Sequence, residues 1–307
     1  MPTTPCVSVL LTAYNRERYI AESIESVLSQ TFTDFELIVC DDHSHDGTME
    51  IVQRYARLDE RVRVSANERN IGQFENRRHA AGLATGAFLK YHDSDDVMYP
   101  HCLAAMLKPL AAEPRAAFAL SAAGYWPGGQ CPMLLTPKLA FEREYLGAGL
   151  FHLGPAAAMF RTKAFRDLGG FPTAGVASDY IFWLRACTIA NVLLVPGDLF
   201  YYRLHAGQEL VASSAVTDYA KAAAVAWALL NSPDCPLTGD ALEQGKRNFV
   251  FSQTRGVYRH VKAGRLGAAA TVLRHIGLTP GDYLSYLRPP RRSNSAGVPP
   301  VSQETAR

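Results

Sequence analysis

Over its first 120 residues the chain alternates short apolar runs with amphipathic stretches, and that alternation limits its fold more than any other feature. Val7-Ser8-Val9-Leu10-Leu11-Thr12 reads as a buried strand. Ile20, Ile24, Val27 and Leu28 then recur at helical spacing, which predicts a helix from Glu17 to Gln30. Phe35–Cys40 reads as a second strand and Thr48–Leu58 as a second helix, with Asp46 placed to cap it. A strand at Val62–Val64, a helix over Gln73–Ala84, a strand at Ala87–Tyr91, a helix opening at Pro100 and a strand at Ala116–Ala122 continue the pattern. Repeated β-α units predict an α/β fold with a mostly parallel central sheet flanked by helices.

Sheets of this kind place ligands at the carboxyl ends of their strands. Three polar clusters stand there: Thr12-Ala13-Tyr14-Asn15, Asp41-Asp42-His43-Ser44 and Asp93-Ser94-Asp95-Asp96. Asp93 and Asp95 share one side of an extended backbone, an oxygen-rich setting that suits Mg²⁺ or Mn²⁺ together with a sugar hydroxyl. Taken alone, the same four residues also read as a polar turn whose Asp96 caps the next helix. Asp41-Asp42 argues against that reading, because four carboxylates on one rim repel unless a cation or hydrogen-bond donors compensate.

The first β-α connection carries no G-x-G-x-x-G, and no Walker A sequence occurs, so dinucleotide and P-loop chemistry are not expected. A formal charge of +2 on 307 residues argues against a nucleic-acid partner. Six scattered cysteines without a C-x-x-C pair read as reduced thiols. No leader-like start and no apolar run long enough to span a bilayer are visible, so the expectation is a cytoplasmic protein, at most peripheral on a membrane.

Further along, residues 125–150 are rich in Gly and Pro and read as an irregular connection, followed by an organised stretch from Leu153 to His205. Residues 217–230, 238–262 and 265–276 read as helices, and the Pro/Arg/Ser-rich end has the composition of a disordered tail. Arg255, Arg259, Lys262 and Arg265, near Val257 and Val261, form either a basic amphipathic face for an anionic membrane surface or a plain solvated helix face. His92, His101 and His152 read as surface or packing residues, and Trp183 as core packing.

Beyond these readings, an ordered set of motifs stands out. Val7–Asn15, Ser29-Gln30-Thr31-Phe32, Phe35–Ser44, Asp46-Gly47-Thr48, Asn70-Ile71-Gly72, Asn76, Ala84-x-Gly86 and Asp93–Asp96 are followed by Gly169-Gly170-Phe171, Asp179-Tyr180, Trp183-Leu184-Arg185 and Tyr202-Arg203-x-His205. In order and spacing this series resembles the family 2 glycosyltransferases over residues 6–206. The resemblance implies a GT-A fold, a nucleotide-diphosphate sugar donor, a saccharide, lipid-linked or other hydroxyl acceptor, a divalent metal (Mn²⁺ or Mg²⁺) and inversion at the anomeric carbon.

Carried over by position, Thr12 and Tyr14 would line the nucleobase pocket, with Asp42 accepting from the base and Asp41 beside it. Asp93 would hold the ribose or sugar, Asp95 the metal, and Asp179 would be the general base. Arg203 and His205 would close over the diphosphate, His205 reaching the metal. Residues 1–120 then form the nucleotide-sugar half and 121–210 the acceptor half of one GT-A domain, with a helical C-terminal extension at 211–288 and a tail at 289–307. The expected setting is bacterial surface polysaccharide or glycoconjugate synthesis.

The chain departs from the family pattern at three places. Ser178 stands where a Glu is common, His43 replaces a usual Gly, and Glu75 precedes Asn76 where an Arg is frequent, leaving Arg77 or Arg78 for that role. Two other readings compete with an active transferase: a degenerate GT-A domain that only binds, and a sugar nucleotidyltransferase. The first would be signalled by loss of Asp95 or Asp179, and the second by a Gly-rich basic loop after the first strand; neither sign is present.

Overall fold

The computed structural model describes residues 4–122, 131–205 and 215–285. Its first half is a run of parallel strands, β1 (Val7–Ala13), β2 (Phe35–Asp41), β3 (Val62–Ala66) and β4 (Phe88–Asp93). Helices α1 (Ile20–Leu28), α2 (Thr48–Leu58) and α3 (Gln73–Leu83) connect them. Next come β5 (Val97–Met98), α4 (Cys102–Ala112), β6 (Ala116–Ala122), β7 (Met133–Leu135), α5 (Pro137–Leu146), β8 (Ala158–Arg161), α6 (Thr162–Asp167), α7 (Ser178–Ile189), β9 (Asn191–Pro196) and β10 (Phe200–Tyr201). The eight-stranded sheet runs β3-β2-β1-β4-β8-β6-β9-β7, while β5 and β10 pair separately. β8 is antiparallel to both β4 and β6, β7 is antiparallel to β9, and β5 is antiparallel to β10; the other pairs are parallel.

Strand alternation divides the interior into two layers. β1 sends Leu10 to one face, with Tyr91, Phe118, Phe160 and Trp183, and Val9 and Leu11 to the other, with Ile24, Val52 and Met106. The central strands are therefore buried on both faces, which is why they read as continuous apolar runs. Trp183 is fully buried and stacks on Phe160 at 5.8 Å, while its indole N–H donates to the Leu153 carbonyl at 2.7 Å. It packs the core, as its spacing suggests.

Within the sheet a buried polar knot sets the register of the first strands. The Ser8 hydroxyl donates to Glu36 at 2.6 Å and accepts from the Gly86 N–H at 2.8 Å, and the Thr85 N–H and hydroxyl also donate to Glu36. Burial raises the Glu36 pKa, but the bonds from Ser8, Thr85 and Arg63 outweigh it and hold the carboxyl below its ordinary value. A Cβ on Gly86 would lie 2.7 Å from the Ser8 nitrogen, so the backbones must part to admit one. Gly86→Ala should lower the unfolding free energy by about 1–3 kcal/mol, the usual effect of overpacking. Urea denaturation measures it, and an unchanged midpoint would mean the knot can open freely.

Several elements differ from the sequence reading. The first helix is shorter than Glu17–Gln30 because Arg16–Tyr19 form a turn, with the Ile20 N–H bonded to the Arg16 carbonyl. The helix expected from Pro100 begins at Cys102. Gly47, not Asp46, is the N-cap residue of α2, and Asp46, one position before it, accepts from the Thr48 N–H through Oδ1 at 3.0 Å. The stretch read as an irregular connection instead contains β7 and α5. Thr136 accepts from the Leu139 N–H, Pro137 opens the helix, and Ala140, Phe141 and Tyr145 are buried beneath it.

The C-terminal part is helical: α8 (Ala215–Leu230), α9 (Gly239–Lys262), α10 (Leu266–His275) and α11 (Pro280–Ser285). Tail residues 289–307 lie outside the described residues. All six cysteines are free thiols. Among the described residues no helix is long and apolar enough to cross a membrane.

Candidate active site

The parallel register brings the polar strand ends to one rim, with Thr12 opposite Asp93 across β1 and β4, and Ala13 opposite Asp41 across β1 and β2. Above that rim opens a cavity of about 1060 Å³. Of the residues singled out from the sequence, Thr12, Tyr14, Asp42, Asp93, Asp95 and Asp179 line it. Asp41, Arg203 and His205 are not among its lining residues.

Adjacent residues at the end of β2 have different surroundings. Asp42 Oδ1 accepts from the Asn67 amide and the Ile71 N–H, and its Oδ2 from the Gly72 N–H, each at 2.9 Å. Asn76, which also bonds the Cys40 carbonyl, accepts from Asn67 and so holds that donor in place. Asp41 instead folds back on Ser44, accepting from its N–H at 2.8 Å and from its hydroxyl. His43, between them, has φ of +65°, a left-handed backbone that glycine adopts without penalty. That conformation is the physical reason a glycine suits this place.

The acidic loop after β4 is held from all sides. Arg77 is buried and pairs with Asp93. Burial would raise the Asp93 pKa, but the Arg77 charge and hydrogen bond prevail and keep it below the ordinary carboxylate range. Arg78 points elsewhere, 3.9 Å from Glu75 on the exposed side of α3, so Arg77 is the arginine that reaches the cavity. Asp95 Oδ2 meets two partners, Arg16 Nε at 3.1 Å and His205 Nε2 at 2.9 Å. Arg203 fastens the loop from behind: its N–H donates to Asp96 at 3.0 Å and its Nε to the Asp95 carbonyl at 2.9 Å. Asp96 does not cap α4. It is buried with Oδ2 unpartnered, and burial, reinforced by the Asp93 charge, pushes its pKa up to about 8.

Asp179 sits in the first turn of α7, where its Oδ1 accepts from the Tyr180 N–H at 2.7 Å. Burial pushes its pKa up to about 6, against the opposing pull of that backbone bond and the Arg77 charge. A helix N-terminus stabilises the anion while the apolar surroundings raise its proton affinity. The result is a carboxylate that is ionised at neutral pH yet basic for its type. Ser178, in place of a Glu, turns inward: its hydroxyl donates to the Gly175 carbonyl at 2.6 Å and accepts from the Ala174 N–H at 2.9 Å.

Beneath the cavity lies a fully buried lysine. Lys90 Nζ donates to the carbonyls of Tyr91, at 2.8 Å, and Ala156, tying β4 to the 3₁₀ turn Pro155–Ala157 in the cavity wall. Burial pulls its pKa below the usual lysine value. His92, two residues on, is held neutral by burial and the Lys90 charge, its pKa near 3, and serves as packing. His101 is exposed beside Tyr99, and His152 lines the cavity.

Sequence reasoning gave no role to Arg16, Lys90, Tyr202 or Tyr219, although Arg16, Tyr202 and Tyr219 line the cavity. For Arg16 a signal was available: it is the cation next to Tyr14-Asn15 on a rim where carboxylates converge and need compensation. Lys90 gave no such sign, since its carbonyl partner lies 66 residues away.

The chain is similar in sequence and fold to known proteins. Over 266 residues the chain is 29% identical to poly(ribitol-phosphate) β-N-acetylglucosaminyltransferase TarS of Staphylococcus aureus, covering 83% of this chain and 46% of that protein. The structure of TarS 1–349 in complex with UDP-GlcNAc aligns with a TM-score of 0.65 at 24% identity, covering 92% of this chain and 82% of that one. The mannosyltransferase PcManGT of Pyrobaculum calidifontis, solved with GDP-Man and Mn²⁺, aligns with a TM-score of 0.60 at 18% identity, covering 93% and 84%. These likenesses identify the fold as that of GT-A transferases. The UDP-Glc:α-D-GlcNAc-diphosphoundecaprenol β-1,3-glucosyltransferase WfgD of Escherichia coli is 41% identical over 91 residues, 30% of this chain and 35% of that protein. The match thus spans less than half the length of these curated relatives. The profile of glycosyl transferase family 2 matches residues 8–169, more than half of the chain, and on that ground the chain belongs to this family.

Proposed function

We propose that the protein moves a sugar from a nucleotide diphosphate to an acceptor hydroxyl by a single in-line displacement, with inversion at the anomeric carbon. The observation that carries this reading is that Asp179, on α7, and Asp93 and Asp95, after β4, face one cavity large enough for a nucleotide sugar. A hydroxyl is a poor nucleophile, so a carboxylate must take its proton as the new bond forms. Asp179 has the required basicity and the required exposure to the cavity. Asp93, fixed by Arg77, would accept from a donor hydroxyl, and Thr12, Tyr14 and Asp42 would hold the base and ribose. Arg16 would meet the negative charge that gathers on the departing diphosphate.

The residues present fit a divalent cation. Asp95 Oδ2 and His205 Nε2 meet at 2.9 Å, a carboxylate oxygen and an imidazole nitrogen at one point of the rim, and both suit Mn²⁺. No cluster of three or more His, Cys, Asp or Glu able to hold a metal occurs among the described residues, so the remaining positions would fall to phosphate oxygens and water. When bound, the cation would supply a Lewis acid to the diphosphate. The complexes of TarS with UDP-GlcNAc and of PcManGT with GDP-Man support this donor class, and the diphosphoundecaprenol acceptor in the name of WfgD supports a saccharide or lipid-linked acceptor. The setting that best agrees with TarS and WfgD is bacterial surface polysaccharide or glycoconjugate synthesis.

Incubation with UDP-, GDP- and dTDP-sugars plus Mn²⁺ should reveal slow hydrolysis of one donor class. Binding of a nucleotide sugar with neither hydrolysis nor transfer to any acceptor tried would favour a binding module instead.

A further inference from the structure

The distal half of the helical extension carries an unbalanced charge. From position 244 to position 281 the chain has seven Lys and Arg and no Asp or Glu, although the whole chain is nearly neutral at +2. Five of these cations, Arg255, Arg259, Lys262, Arg265 and Arg274, are exposed, and none forms an ion pair among the described residues. The neighbouring acid on α11, Asp282, is engaged by the Thr279 N–H and hydroxyl. Asp218, at the start of α8, is turned toward the Val176 N–H. Arg255, Tyr258, Arg259 and Lys262 recur at spacings of three, four and seven, which puts them on one stripe of α9.

Apolar side chains stand among these cations. Tyr258 and Leu266 are each 64% exposed, with Val261 and Leu273 about half exposed. A solvated helix face gains nothing from such residues. A polyanion alone would use the cations but leave the apolar groups in water. An anionic bilayer uses both, because phosphates meet the guanidinium and ammonium groups while Tyr, Val and Leu enter the headgroup boundary. None of the residues on this face lines the cavity, whereas Tyr219 of α8, which packs against α10, does. The same helical unit therefore joins the reaction site to this outer surface.

We infer that the distal end of α9, its turn into α10 and the exposed side of α10 form a docking surface for an anionic lipid bilayer. Binding to this surface does not depend on the sugar-transfer reading, and it would stand if that reading failed.

The test is sedimentation of the full-length protein with phosphatidylcholine vesicles, with and without about 30% phosphatidylglycerol. The wild type should bind the anionic vesicles at least about tenfold more tightly than the neutral ones, and rising salt should release it. Arg255→Glu with Arg259→Glu and Lys262→Glu should lose that preference, while nucleotide binding and melting temperature stay as in the wild type. Tyr258→Ser with Leu266→Ser should weaken binding to the same vesicles severalfold. Equal binding to neutral and anionic vesicles, or no effect of the charge reversal, would overturn the inference. Full binding by the Tyr258/Leu266 variant would also overturn it, pointing to a soluble polyanion as the partner. The salt series uses only the native protein, so a variant that fails to fold leaves the question decidable.

Discussion

Asp179→Asn is expected to lower sugar transfer by about 10²–10⁴-fold while leaving donor binding intact, the usual contribution of a positioned general base. The amide keeps the size of the side chain and can still accept from the Tyr180 N–H, so the start of α7 should hold its place. What it loses is the ability to take a proton. With the carboxyl pKa at about 6, wild-type kcat/KM should climb with pH below that value and level off above it, and the rising limb should vanish in the variant. Stability gives an independent check. Burial raises the folded-state pKa above the unfolded value, so protonated Asp179 favours the native state. That contribution is complete below the unfolded pKa and is lost as pH rises through about 6. Asp179→Asn should thus be at least as stable as the wild type at pH values above that window. Near wild-type transfer by the variant would remove Asp179 from the base role. Loss of donor binding would move it into the nucleotide site. Asp96 is a poor substitute in either case, because it does not line the cavity and is buried behind it with one carboxyl oxygen taking the Arg203 N–H.

How far these roles were readable from residues alone depended on distance along the chain. The β-α alternation reports local burial, and it located β1, β2, β4 and the acidic loop within a residue or two. It failed where Gly and Pro punctuation masked a capped helix, since α5 follows a Gly- and Pro-rich run although Thr136, Pro137, Phe141 and Tyr145 carry its start and its buried face. Asp41 and Asp42 are the same residue type side by side, yet Asp41 ends β2 and folds onto Ser44, while Asp42, just past the strand, lines the cavity. Periodicity points to neither partner of Asp95, although the family resemblance brings His205 to the same metal. Arg16 and His205 stand 79 and 110 residues from Asp95, and no periodicity connects positions so far apart.

That convergence on Asp95 sets up the second large effect. Asp95→Ala should abolish the gain in nucleotide affinity produced by Mn²⁺ and lower transfer by about 10²-fold or more, since a Lewis acid at the diphosphate contributes several kcal/mol. The fold should persist. Arg203 grips the Asp95 backbone carbonyl and the Asp96 carboxylate, neither of which the substitution removes, so the loop keeps its path. Removing the carboxylate also releases Arg16 from its bond at 3.1 Å, and that guanidinium already lies in the cavity wall. Metal-free nucleotide binding should therefore hold steady or tighten while metal-dependent binding collapses, an opposite movement that simple misfolding cannot produce. Calorimetric titration of the nucleotide with Mn²⁺ and with chelator separates the two. A variant whose affinity still rises with Mn²⁺ as in the wild type would place the cation elsewhere. His205 packs tilted against Tyr19, with ring centroids 4.7 Å apart, as well as meeting Asp95, so its ring stays positioned without the carboxylate. Any weak metal response left in Asp95→Ala should accordingly disappear on adding His205→Ala.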